Sequence, residues 1–495
     1  MDGRTAIANI LKREGVEFIT CFPSNSLIDA CASVGIRPIM ARTERIAIHI
    51  ADGFSRITGG KHIGVAMMQG NPGIENSFAG VAFAYQDNSP ILLLPDHVGK
   101  HRLGIQPDFS VLNNYRGVTK WVEHINMVER IPEYLRRAFT KLRNGKRGPV
   151  VLELPRDVAD AQVDETAFYY TPVKTRRSQA DPHDVKELAG ALVSARAPMI
   201  QAGQGVLYAE ATPELVELAE LLQAPVTTTL PGKSAFPEDH PLYCGSGSRT
   251  ASKAVAAMMK KADLYFGVGT SFTRNQYNAP IPSGKSMAQV TVDESDVNKD
   301  VNLSYGAIGD AKLVLRQLIE EVKAQLGPNG RRGQDATARE IKALRDEWLK
   351  EWMPRLTSSD TPISPYRVIW ELRNNLDRVN SIVTHDAGNP RDQMMPFYET
   401  PVPHGYLGWG KTTPLGSSLG LMMGAKMAYP NKTCVAFLGD AAFGMVGMDF
   451  ETAVRNQIAI LVVVINNGTM GGYGKALEVA EQRYHTRHLS GNYSG

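Results

Sequence analysis

Apolar, largely β-branched runs recur along the chain, each closed off by glycine, proline or a polar residue: "HIGVAMM", "SPILLLP", "GPVVLELP", "APMIQAG", "ADLYFGVG", "KTCVAFLG" and "IAILVVVINN". They are apolar at successive positions, not alternate ones. That pattern predicts strands buried on both faces, as in parallel sheets covered by helices. Helical stretches separate them, and the N-terminal "MDGRTAIANILKREGVEF" reads as an amphipathic helix, not a signal peptide. The alternation makes the fold class α/β, with doubly wound parallel sheets.

At 495 residues the chain is too long for one core. Patterning is interrupted twice. The polar, proline-bearing "YYTPVKTRRSQADPHD" covers 169–184. The second break covers 327–365, where "GPNGRRGQDATARE" leads into a charged helix around Trp348 and Trp352 and then "TSSDTPISP". Three α/β domains are therefore expected, at roughly 1–168, 183–326 and 363–495, the last short at its C-terminus.

Charge narrows the partners. The 54 basic residues nearly balance the 51 acidic ones, which argues against a general nucleic-acid or anionic-membrane surface. The longest apolar run, "IAILVVVI" at 458–465, is far short of a membrane span. Cys21, Cys31, Cys244 and Cys434 form no C-x-x-C pair, so a reduced cytoplasmic protein is expected rather than a disulfide framework or zinc site.

The most informative stretch runs from Gly439 to Tyr473, "GDAAFGMVGMDFETAVRNQIAILVVVINNGTMGGY". "KTCVAFLG" reads as a strand ending at Gly439. "MDFETAVRNQ" reads as a helix with Phe450, Ala453, Val454 and Ile458 on one face, and "IAILVVVI" as the next parallel strand. Asp440 and Asn467 then occupy carboxyl ends of strands joined by one right-handed crossover, where ligands of such sheets bind. A carboxylate and an amide oxygen are hard ligands, suited to Mg²⁺ holding phosphates. Small residues in "GDAAFG" (Gly439, Ala441 and Ala442), and the glycines of "GTMGGYG" after Asn467, let backbone amides approach an anion. An ordinary βαβ crossover with polar strand ends would show the same residues.

The stretch resembles the diphosphate-binding motif of thiamine-diphosphate enzymes: Gly-Asp, a spacer, then Asn-Asn. Ala441 stands where many members have glycine. Further segments follow in family order. "ARTERIAIHIADGFSRITG" (41–59) is similar to the glutamate-bearing segment of the acetolactate synthase-like branch, and "MMQGNPGIENSFAGVAFAYQDNSPILLLPDHVG" to the strand-loop-helix-strand after it. "APVTTTLPGKSAFPEDHPLYCG" resembles the middle domain of acetolactate synthases. "VTHDAGNPRDQ" and "KTTPLGSSLGLMMGAKMA" resemble the first cofactor-contacting segments of the diphosphate-binding domain.

The resemblance implies a pyrimidine-binding, a central and a diphosphate-binding domain, with Mg²⁺ held by Asp440, Asn467 and the carbonyl of Thr469. Gly439, Ala441, Ala442, Met470 and Gly471 would approach the diphosphate, with Gly388 and Asn389. It places the essential glutamate on Glu44, whose carboxyl would share a proton with the far nitrogen of the aminopyrimidine. That role needs an apolar setting that raises its pKa, and "RIAIHIADGF" supplies one. A first-turn helix acid favoured by the macrodipole would look alike. Leu415 would brace the bent cofactor, a proximity device. The Thr413 carbonyl would accept from the aminopyrimidine amine, and Pro72 and Asn76 would line the pyrimidine site. Gln69 occupies a strand end where some benzoylformate decarboxylase-like relatives carry an active-site histidine; a plain strand-end glutamine fits equally. His49, Cys21 and Cys434 are assigned to structure.

The departures concern substrate. Ser110 and Val111 in "PDFSVLNN" replace the Gln-Glu that follows phenylalanine in acetolactate synthases, and "GTMGGYGKALEVAEQRYHTRH" lacks their tryptophan. "GSGSRTAS" and "FGVGTSFTRNQ" lose the flavin contacts, so bound FAD is not expected. The paired histidines of pyruvate decarboxylases are absent, although His97 and His101 lie nearby. The expected activity is decarboxylation of a 2-keto acid, with transfer of the resulting enamine or acyl unit to a carbonyl acceptor. Simple decarboxylation, and an oxalyl-CoA decarboxylase or 2-hydroxyacyl-CoA lyase type of reaction, are the alternatives; a catalytically silent cofactor-binding subunit is a different class. The resemblance further implies a homodimer or homotetramer with sites at the dimer interface.

Overall fold

The structure, a computed structural model, describes residues 1–166, 168–473 and 476–489. The first sheet contains β1 (Phe18–Phe22), β2 (Arg37–Met40), β3 (Gly64–Met68), β4 (Ile91–Leu93), β5 (Asp96–His97), β6 (Trp121–His124) and β7 (Val150–Pro155). Its order is β2-β1-β3-β4-β7-β5, with β6 also paired to β7, and the pairings are parallel.

The second sheet holds β8 (Pro198–Ala202), β9 (Val226–Thr228), β10 (Tyr243–Ser246), β11 (Leu264–Val268), β12 (Ser286–Thr291) and β13 (Tyr305–Ile308). These six parallel strands run β10-β9-β8-β11-β12-β13, a doubly wound order that reverses between β8 and β11. A third, three-stranded sheet is built from β14 (Ser381–His385), β15 (Thr433–Gly439) and β16 (Leu461–Ile465).

The buried-run argument holds for β3, β4, β7, β8 and β11, each buried at every position. It fails for β16, where Leu461 is exposed and the next four residues are half-buried. β16 ends the order of its small sheet, so it lacks a strand on one side. The single helix expected at "MDFETAVRNQ" is also corrected. Asp440–Val446 is already helical, 447–449 is a 3-10 turn, and Phe450–Arg455 forms a separate short helix. Ala453 and Ile458 are buried, but Phe450 and Val454 are exposed, so the four do not share a buried face.

Chain contacts gather into two compact units: 1–176 with 412–438 and 442–463, and 177–411 with 439–441 and 464–495. Within the first, the Glu44–Ile57 helix follows from its sequence. Thr43 caps it, its side chain accepting from Ile46 N–H, and apolar residues fill its interior faces. Two of its buried charged groups are paired: Arg56 binds Asp52 (2.7 Å) on the same helix, and also Asp87 (3.2 Å). Against it packs the Ser417–Ala428 helix, almost backbone to backbone. A Cβ on Gly53 would lie 2.2 Å from the Leu421 carbonyl, and one on Gly424 would lie 2.1 Å from that of Ile50.

In the second unit, the core under the six-stranded sheet is formed by residues such as Leu188, Ile200, Leu218, Phe266 and Leu315. The four cysteines are free and buried, and burial pushes the Cys21, Cys31 and Cys434 thiols up to about 12. Such thiols stay protonated and inert, as assigned for Cys21 and Cys434. His49 is fully buried too, and burial followed by the charges of Arg45 and Arg56 holds its pKa well below the usual histidine value.

Candidate active site

The candidate residues fall into two groups, one in each unit. In the second unit, Gly388 adopts φ +78°, a left-handed conformation that suits glycine, and turns the chain into the Asn389–Met394 helix. Gly439 closes β15; Asp440 and Ala441 open the helix after it, both half-buried. Past β16, Asn467 is exposed and its Oδ1 accepts from Thr469 N–H at 3.1 Å. Met470 N–H donates to the Arg487 carbonyl at 2.8 Å. A Cβ on Gly471 would lie 3.1 Å from Asn389 Nδ2 and 3.1 Å from Asn467 Nδ2, with Thr469 Oγ1 at 3.8 Å. The two asparagine amides therefore converge beside Gly471.

Beside this group, His385 ends β14, stacked on Trp409 with ring centroids 4.6 Å apart. Burial, then the charge of Arg391, lowers its pKa to about 3, so the ring is neutral.

In the first unit Glu44 begins its helix and is only 6% exposed. Asn76, on the Pro72–Gln86 helix, donates from Nδ2 to Glu44 Oε2 at 3.4 Å. Pro72 is the first residue of that helix. Gln69, half-buried just past β3, sits against the helix start: a Cβ on Gly73 would lie 3.1 Å from its own Cβ. The loop between them is tied down. Gly70 N–H donates to Asp96 Oδ1 (2.6 Å), and Asn71, at φ 54°, accepts from Phe109 N–H (3.0 Å). Thr413 and Leu415 are half-buried on the segment entering the Ser417–Ala428 helix. The Arg45 guanidinium donates to the Leu415 carbonyl. Ala442 is buried, its carbonyl 3.3 Å from where a Cβ on Gly416 would sit.

Comparison with known proteins identifies the arrangement. Residues 1–121 match the N-terminal TPP binding domain of thiamine pyrophosphate enzymes, 185–318 their central domain, and 386–494 their C-terminal TPP binding domain. The chain is 30% identical to a probable acetolactate synthase large subunit of Methanocaldococcus jannaschii, over 95% of this chain and 81% of that protein. It belongs to the thiamine pyrophosphate enzymes. It is also 27% identical to the acetolactate synthase isozyme 3 large subunit of Escherichia coli, covering 95% of this chain and 83% of that one. The fold agrees, with three α/β domains in the order of this family, and the branch is the acetolactate synthase-like one. It is thus an enzyme of the decarboxylating and carboligating kind.

For a thiamine pyrophosphate enzyme the residues of the second unit are suitable. Carboxylate, amide and carbonyl oxygens are the donors a small hard cation takes, and near Gly471 the amide groups of Asn389 and Asn467 offer N–H donors to an anionic group. Sequence reasoning missed three contacts in the first unit. One is Arg45 on Leu415. A second is a buried network in which His97 Nε2 meets Asp108 Oδ1 (2.9 Å) while His124 contacts Glu153. Burial pulls the His124 pKa down, but the hydrogen bond and charge of Glu153 outweigh it and raise it. The third is Asp449, a buried carboxylate holding Arg42 and Thr43. Its sequence signal was weak, one acid in a crossover that also carries Glu451 and Arg455.

Proposed function

We propose that this chain is a thiamine-diphosphate- and Mg²⁺-dependent enzyme that decarboxylates a 2-keto acid and transfers the remaining fragment to a carbonyl acceptor. The observation that carries the proposal is the convergence of Asn389 and Asn467 beside Gly471. Asp440, Asn467 and the Thr469 carbonyl would hold the metal, while Gly388, Asn389, Gly439, Ala441, Ala442, Met470 and Gly471 would border the diphosphate. The bound cofactor supplies a nucleophilic carbon and an electron sink.

The chain's own groups manage protons and position. Glu44, largely shielded from water, holds the proton shared with the aminopyrimidine nitrogen, and Asn76 orients its carboxyl through Oε2. Leu415 braces the cofactor from a segment anchored by Arg45. Thr413, Pro72 and Gln69 complete the surround, Gln69 toward substrate.

Flavin is not in the proposed cofactor set. The segments that diverge from the flavin-contacting pattern are engaged with neighbours in the chain: Arg249 lies 3.7 Å from Asp392, and Arg274 N–H donates to Asp300 Oδ2 at 2.9 Å. The three domains are taken at 1–168, 183–326 and 363–495; residues 490–495 lie outside the described residues. No helix of the described residues is long and apolar enough to cross a membrane, and a cytoplasmic homodimer or homotetramer is proposed. The deciding experiment is a panel of 2-keto acids and acyl-CoAs with carbon dioxide and condensed product measured separately. Carbon dioxide together with condensed product from a 2-keto acid is the expected result. Turnover of acyl-CoAs alone, or none at all, would overturn it.

A further inference from the structure

We propose that Asp449 is a positioning residue for Glu44: by holding the two residues ahead of it, Asp449 sets the direction in which the Glu44 carboxyl leaves its helix. The inference rests on the role given to Glu44 above. Asp449 lies on the crossover between β15 and β16 and is 1% exposed. Its Oδ1 accepts from Arg42 N–H at 2.7 Å and from the Thr452 hydroxyl at 3.1 Å; its Oδ2 accepts from the Thr43 hydroxyl at 3.0 Å. A buried carboxylate is costly unless donors meet its lone pairs. Three donors do so here, and two come from the residues immediately before Glu44.

The arrangement is directional. A hydroxyl has one proton and two lone pairs. The Thr43 proton is committed to Asp449, which leaves a lone pair to cap Ile46 N–H at 3.4 Å. The group that starts the helix is thus itself oriented by Asp449, and Glu44 is the first residue of that helix. Arg42 also pairs with Glu451 (2.9 Å), and Arg455 donates to the Met40 carbonyl (2.8 Å). Arg42, Arg455 and Glu451 are partly exposed, and such contacts add little. The buried carboxylate fixes the geometry. An amide at this position could keep the Arg42 bond through its oxygen, but it would turn an NH₂ group toward the Thr43 hydroxyl, whose proton then loses its acceptor and whose oxygen must turn to serve two donors.

The test separates positioning from simple packing. Thiazolium proton exchange is followed in deuterated water with saturating thiamine diphosphate and Mg²⁺, and cofactor affinity by calorimetry. The proteins are wild type, Glu44→Gln, Asp449→Asn and the double variant. Misplacing a reacting group by about 1 Å can cost about a hundredfold, so Asp449→Asn is expected to slow exchange by about tenfold or more. Cofactor Kd should stay within about threefold, which is well under 1 kcal/mol. In the Glu44→Gln background the same change should add less than about twofold, because the carboxyl being positioned is gone.

Thr43→Val should reproduce the loss and Thr43→Ser avoid it; this pair decides the matter if Asp449→Asn does not fold. Exchange at the wild-type rate in Asp449→Asn or Thr43→Val, or an undiminished loss in the double variant, overturns the inference while Glu44 keeps its role. Normal exchange in Glu44→Gln itself overturns both.

Discussion

Asn76 and Glu44 meet side chain to side chain, Nδ2 to Oε2 at 3.4 Å, although they come from different helices. The amide can only donate there, so it supports the carboxyl without competing for the cofactor. Glu44→Gln is expected to leave thiamine diphosphate bound and to slow thiazolium proton exchange by about 10²- to 10⁴-fold, the usual scale for a lost acid–base group. Asn76→Ala should cost less, about tenfold in kcat, as expected for a lost hydrogen bond to a charged group. Rapid-quench exchange and steady-state kinetics measure the two; equal losses would contradict this ordering.

At the other group, Asp440→Ala should abolish Mg²⁺-dependent binding of thiamine diphosphate by titration calorimetry, because the metal loses its carboxylate. Gly471→Ala is a finer probe. The new methyl would sit 3.1 Å from two amide nitrogens, so Asn389 or Asn467 must give way. Asn467 is exposed and can move, so the unliganded protein should melt almost unchanged. Affinity should nevertheless fall about tenfold, or 1.4 kcal/mol. Unchanged affinity would mean that the two amides do not face the cofactor.

Much of this was legible in the sequence because the strands are buried by composition alone, as β3 or β11 shows, and because strand ends place Asp440 and Asn467 without further information. What was not legible is tertiary. Asp449 finds its donors 407 and 406 positions away in the chain, a distance no local pattern spans. Phe450 and Val454 carried the right spacing for a buried face but lie on a helix of only six residues, and both are exposed. Gly53, Gly420 and Gly424 lie inside helices, where glycine is a poor former, and the close approach of the neighbouring helix accounts for them. A Cβ on Gly420 would lie 2.6 Å from the Cβ of His49.

That packing yields a stability prediction. Gly53→Ala would drive a methyl to 2.2 Å from the Leu421 carbonyl, a backbone atom that cannot rotate aside. The helices must separate, and the loss should reach about 3 kcal/mol or more, the upper end of overpacking costs. Gly190→Ala, where a Cβ meets nothing within 4 Å, is the control. It should be neutral or slightly stabilising, since alanine is the better helix former. Thermal melts of the two variants test the contrast.

Acid sensitivity follows from the buried histidines. His385 has a native pKa near 3, depressed below its unfolded value by burial and then Arg391, and His49 is depressed for similar reasons. A group depressed on folding favours the native state above its unfolded pKa, and that contribution is lost as pH falls toward the folded one. Between pH 6.5 and 5 the His385 share of the loss is about 2 kcal/mol. His385→Phe, which keeps an aromatic face for Trp409, should flatten the melting temperature over that range. An acid limb as steep as that of wild type would assign the loss to other groups.

The assembly prediction uses two dead proteins. Glu44→Gln lacks the proton-handling carboxyl and Asp440→Ala lacks the metal ligand, so neither should turn over substrate alone. In the proposed dimer each site draws on both chains, and a mixed dimer contains one site with both residues intact and one with neither. Mixing under subunit exchange should therefore restore activity, and thiamine diphosphate with Mg²⁺ should favour the dimer, because a ligand bridging two chains stabilises only the assembled form. No recovery, with exchange verified by native mass spectrometry, would show that each site is completed by a single chain.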